Sequence, residues 1–117
     1  MKQHTTPDQT AKLIELGFEK PKSISGYCQR GPYEYDAESN TKMVVYDDTQ
    51  YPIYAYSIGE LIEKLPTIVD YFTLWIGRDE RSNQWFVKYH PRTLVVDEEL
   101  LDALYAMIVK LKEEGVI

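Results

Sequence analysis

The chain has 117 residues, of which 44% are hydrophobic and 27% charged, and its formal net charge is −6. That length and composition suit one folded core and exclude a disordered chain. The negative charge opposes binding to nucleic acid or to an anionic membrane surface, both of which rest on Lys and Arg.

No apolar run approaches the roughly 18 residues of a membrane span. The first residues, Met1 to Thr6, lack the apolar stretch of a signal peptide. Cys28 is the one cysteine, so no intrachain disulfide can form. Together these point to a cytoplasmic protein with residues 1–117 as a single domain.

The first helix is expected near 7–16. Thr6 suits the N-cap, Pro7 the first helical position and Asp8 the first turn, where the helix dipole favours an anion. Gly17 suits the left-handed residue after the helix, with Phe18 folding back onto the last turn.

Residues 19–41 are harder to read. Ser23 to Gln29 has strand character and is punctuated by Gly31-Pro32. Glu34, Asp36, Glu38, Ser39 and Asn40 read as an acidic loop. Lys42 to Tyr46 reads as a strand, Asp47 to Gln50 as a turn, and Tyr51 to Tyr56 as a short edge strand interrupted by Pro52.

A second helix is expected near 58–65. Ser57 and Glu60 have capping-box spacing, each side chain reaching the other's backbone amide. Ile58, Leu61, Ile62 and Leu65 follow on one helical face and are expected to be buried, and Pro66 ends the helix.

A hairpin follows. Tyr71 to Ile76 and Gln84 to Tyr89 both alternate, with a polar loop from Gly77 to Asn83 between them. Alternation puts Phe72, Leu74 and Ile76 inward and Tyr71, Thr73 and Trp75 outward. On the second strand Trp85, Val87 and Tyr89 face inward and Phe86 and Lys88 outward. Leu94-Val95-Val96 can extend this sheet. The third helix is expected near 98–114, with Asp97 as N-cap and Gly115 as the residue after its end. Leu100, Leu101, Ala103, Leu104, Met107, Ile108 and Leu111 form its apolar face. The whole reads as an α+β fold: an antiparallel sheet of four to five strands with about three helices packed mainly on one face.

The stretches YSIGELIEKLP at 56–66 and LDALYAMIVKLKEEG at 101–115, with the Trp-containing hairpin between them, resemble small uncharacterised proteins of Bacteroides-type prophages and mobile elements. The resemblance covers about the second half of the chain and rests on structural signals. It implies a phage or mobile-element setting and transfers no catalytic motif.

Chemistry-bearing residues are sparse. Nucleophilic catalysis needs a nucleophile with a base, and only Cys28 with His90 offers such a pair. A lone cysteine in a strand more commonly serves as a small buried apolar residue, and Cys28 is expected to be an unreactive thiol. Asp47-Asp48 with Glu34, Asp36 and Glu38 lacks calcium-loop spacing and reads as a solvated acidic turn. No phosphate loop is present, and we expect no catalytic residue, metal or cofactor.

The unusual feature is tyrosine. Of ten in the chain, seven lie between Tyr27 and Tyr56. Tyr is enriched at interfaces, because it gives large contact area at low entropic cost. Charge is also uneven: residues 71–96 are net +2, whereas 34–48 and 97–117 are each net −4.

The leading expectation is a non-enzymatic interaction module that binds a protein partner or forms a homodimer, with Tyr71, Trp75, Phe86, Lys88, Tyr51 and Tyr54 as interface candidates. Trp75 and Phe86 on an outward sheet face call for a cover: the Tyr-rich segment 46–56, a second copy, or a partner. One alternative is an enzyme with a site near Cys28 and His90. Another, ranked last on charge, is an acidic decoy of nucleic acid.

Overall fold

The computed structural model describes residues 1–36 and 41–117, and the side chains of residues 1–27 and 52–117. Contacts divide the chain into two compact units, residues 24–54 and the remainder. The fold is α+β, with three helices and antiparallel sheets of two, two and three strands among the described residues.

The larger unit begins with α1, Pro7–Glu15. Thr6 caps it, and Gln9 completes a capping box that the sequence reading did not include. Its end is a Schellman motif: Gly17 has φ +99°, its amide donates to the Ile14 carbonyl, and the Phe18 amide donates to the Leu13 carbonyl. Helix α2, Ile58–Lys64, carries the expected Ser57–Glu60 capping box and stops before Pro66. Leu61 and Leu65 are buried, but Ile58 is half-buried and Ile62 is 38% exposed, which corrects the expectation that all four apolar residues are buried. A helix of seven residues resting on one neighbour covers only a narrow stripe, and Ile62 lies a further 100° around from Leu61.

Two very short strands come next: β3, Ile68–Val69, and β4, Phe72–Thr73. They pair through a two-residue turn in which Asp70 and Tyr71 have φ +50° and +71°. Both values suit a type I′ turn, which matches the twist of the flanking strands. A three-stranded sheet follows in the order β5 (Trp75–Asp79), β6 (Gln84–Tyr89), β7 (Thr93–Asp97).

Helix α3, Leu100–Glu113, packs on β6 and β7, and α2 packs on α3. All seven residues expected on its apolar face are buried. They join Leu13, Tyr56, Leu61, Leu65, Val69, Val87 and Tyr89 in one core cluster. Each fully buried Leu or Ile contributes roughly 1.5–3 kcal/mol, so this helix is the main stabilising element. Its start differs from the expectation. The N-cap is Glu99, and Asp97 ends β7 opposite Trp85 while its carboxylate accepts the Glu99 amide at 2.9 Å. Strand pairing through Asp97 prevents the helix from beginning at 98.

The smaller unit is one long hairpin of β1 (Ile24–Asp36) and β2 (Thr41–Tyr54). The three short pieces read from the sequence are therefore two strands. Asp47 to Gln50, expected as a turn, lie within β2. Tyr46 pairs with Arg30 and Tyr51 with Cys28, so these four residues stand opposite the single residue Gln29. Local turn propensity is absorbed as a wide irregularity in a strand. Of the acidic loop, Glu34 and Asp36 are in β1, and residues 37–40 lie outside the described residues.

The expected single sheet of four to five strands is not formed. The turn at Asp70 and Tyr71 closes β3 and β4 into their own pair, and three register breaks interrupt the β1–β2 ladder, leaving no regular edge for another strand. No helix among the described residues is long and apolar enough to cross a membrane.

Candidate functional site

The three-stranded sheet has two unlike faces. Its register aligns Ile76, Val87 and Val95 in one row, and Tyr89 with Thr93. These residues face α3, and Val87 and Tyr89 are fully buried. The Tyr89 hydroxyl donates to the Pro66 carbonyl at 2.6 Å. Burial raises its pKa to about 12, so it stays a neutral donor.

The opposite face carries two other rows, Trp75–Lys88–Leu94 and Gly77–Phe86–Val96. Trp75 is 61% exposed, Leu94 53% and Val96 47%. Gly77 has a packing reason to be glycine: a Cβ there would come within 2.5 Å of the Phe86 ring. The ring fills the space above Gly77 and is itself half-buried. The Lys88 ammonium stands 4.9 Å from the Phe86 ring centroid, a cation–π arrangement that fixes a charge on an apolar floor.

The β5–β6 loop raises one wall. Asn83 takes φ +58°, its amide donates to the Asp79 carbonyl at 2.8 Å, and the Asp79 carboxylate accepts the Arg81 amide at 2.9 Å. Arg78 donates to the Asn83 side chain and lies 5.7 Å from the Trp85 ring. The resulting open groove is about 890 Å³, with Phe86, Lys88, Leu94 and Val96 as floor and Arg78, Arg81 and His90 at the rim.

A second cavity, about 220 Å³, gathers Glu19, Lys22, Ser23, Glu60 and Lys64. Glu60 stands at its centre, with several donors around its carboxylate. Partial burial pushes its pKa up, but donors from the Ser23 hydroxyl, the Lys22 and Ser57 amides and the Ser57 side chain outweigh that and hold it at about 2. The Lys22 amide is 3.0 Å and the Ser57 amide 3.2 Å from the carboxylate. This acid fastens residues 22–23 to the start of α2. Nearby, Tyr56 is fully buried, its hydroxyl donates to the Glu19 carbonyl, and Lys64 stands 4.6 Å from its ring.

Of the six interface candidates, Trp75, Phe86 and Lys88 come together on one face. Tyr71 lies instead at the β3–β4 turn, 97% exposed. That turn is held by the Asp70 carboxylate pairing with Arg92, which also reaches Glu114 at 2.9 Å. Tyr54 is exposed in the smaller unit, and the Tyr51 side chain lies outside the described residues. His90 is exposed in the turn after β6, and the Cys28 side chain also lies outside the described residues, as do those of Glu34, Asp36, Asp47 and Asp48. Among the described residues no three His, Cys, Asp or Glu side chains are placed to share a metal ion.

Leu94 and Val96 were not among the candidates. Three consecutive apolar residues, Leu94-Val95-Val96, look like core throughout. Once Val95 is inward, alternation places the other two outward. Compared with known proteins, the chain matches no family model, no curated protein and no solved structure.

Proposed function

We propose that this chain is a non-enzymatic protein-interaction module whose contact surface is the outer face of the β5–β7 sheet, acting in the cytoplasm and in a phage or mobile-element setting. The observation that carries the reading is the row geometry: Trp75, Leu94 and Val96 are large, apolar and exposed on one face, while alternate residues of the same strands build the core. A contiguous apolar face of this kind marks an interaction site. Its composition also fits: interface centres favour Trp, Phe and Arg over acidic residues. The setting rests on the resemblance of residues 56–66 and 101–115, and the compartment on the lone cysteine.

Photo-crosslinking tests the reading. A benzoylphenylalanine placed at Leu94 should give a discrete adduct with one identified protein, or with a second copy of the chain, and Trp75→Ser should abolish it. The same probe at Glu63, on exposed helix surface, should give none. Equal labelling from both positions, or no adduct from Leu94, would contradict the proposal and return attention to an enzymatic role for His90.

A further inference from the structure

The groove is cationic in an anionic molecule. Arg78, Arg81 and Lys88 stand against Asp79 and Glu80, whereas the whole chain carries −6. The ion pairs among the described residues are Lys2 with Asp102 and Arg92 with Asp70 and Glu114, so none of the three groove cations is neutralised by a described acid.

Resting on the interaction reading above, we infer that the groove takes an acidic segment of a partner protein, one that carries large apolar side chains beside its carboxylates. The apolar side chains seat on Leu94 and Val96 in the groove and on Trp75 beside it, in the row of Lys88 and Leu94. The carboxylates meet Lys88 and Arg81. Lys88 is held in place beforehand over Phe86, so its binding loses less side-chain entropy. Lys88 is half-buried against an aromatic floor, where a carboxylate is attracted more strongly than at a fully hydrated site.

Charge and chemistry favour a peptide over a nucleic acid. A single strand brings a phosphate at every nucleotide, more negative charge than the few cations of this groove can match beside Asp79 and Glu80, whereas a peptide can place one or two carboxylates at the cations and apolar side chains between them. Two of the three exposed apolar side chains of this face, Leu94 and Val96, are aliphatic and suit Leu, Ile or Phe side chains, whereas a base would find its stacking surface on Trp75 alone.

A random-peptide display library, selected on the full chain, on Trp75→Ser and on the Arg81→Glu/Lys88→Glu double variant, tests the inference, with circular dichroism checking each fold. Peptides selected on the parent should be enriched in Asp and Glu together with large apolar residues. They should bind at least about tenfold more weakly to either variant, and more weakly as salt rises. The double variant should select Lys- and Arg-rich peptides instead. Peptides that need Trp75 but show no acidic excess would overturn the acidic partner and leave the interaction face standing. A failure to select any Trp75-dependent peptide would overturn both. Tighter binding of oligodeoxythymidine than of the selected peptides, read by fluorescence anisotropy, would replace the peptide with a polyanion.

Discussion

The two faces of the β5–β7 sheet are built from the same strands and are almost equally apolar, yet they have opposite fates. On the inner face Val87, Tyr89 and Val95 meet α3 and its seven buried side chains. On the outer face Trp75, Phe86, Leu94 and Val96 meet no helix of their own unit, and Lys88 stands among them. The contrast teaches that alternation assigns residues to a face, but hydrophobicity does not say which face is core. What decides it is where the amphipathic helix lands. An apolar face left over after α3 has landed calls for a second explanation, and recognition is the one its composition fits.

That contrast is open to measurement. The largest effect belongs to the helix that covers the inner face. Leu104→Ala removes a fully buried side chain and should destabilise the protein by about 2–5 kcal/mol in urea unfolding. The chemically identical Leu94→Ala, on the outer face, should cost about 0.5 kcal/mol or less. Similar losses at both positions would erase the difference between the faces.

A smaller effect separates charges that hold the fold from charges available to a partner. Glu60 belongs to the first kind. Its pKa is lowered from 4.5 to about 2 in the folded chain. A lowered carboxyl contributes stability above its unfolded pKa and loses it as pH falls through the folded value. The parent should therefore weaken between about pH 5 and pH 2 by more than Glu60→Gln does, as urea midpoints across that window would report. Arg81→Glu, whose side chain is in no ion pair among the described residues, should leave the profile parallel to the parent's. Parallel curves for the parent and Glu60→Gln would remove Glu60 from the structural class.

The local signals of the larger unit were legible because they are short-range. Thr6, Ser57, Gly17 and Gly115 act within one helical turn, and their caps form as the residues dictate. The face of α3 was also legible, because fourteen residues of period 3.6 leave little ambiguity. What was hidden depends on distant partners. Asp97 has the chemistry of an N-cap, but its pairing with Trp85 holds it in a strand. Asp47 to Gln50 have turn chemistry, but the ladders on either side of them carry the strand through. Ile62 lies on an apolar stripe that no neighbour is wide enough to cover. At the candidate site, Trp75, Phe86 and Lys88 followed from alternation alone. Leu94 and Val96 needed the register of β7, and the groove wall needed the hydrogen bonds of the Asp79–Asn83 loop.

The central claim is that the outer sheet face is free surface and not core. Urea unfolding of the triple variant Trp75→Thr, Leu94→Thr, Val96→Thr tests it most directly. Threonine is β-branched, as strands favour, so the variant removes apolar surface without weakening the strands themselves. If the face is free, stability should stay within about 1 kcal/mol of the parent, because exposed side chains contribute little. A loss of several kcal/mol would contradict the claim, since it would mean that these side chains are buried by the chain itself.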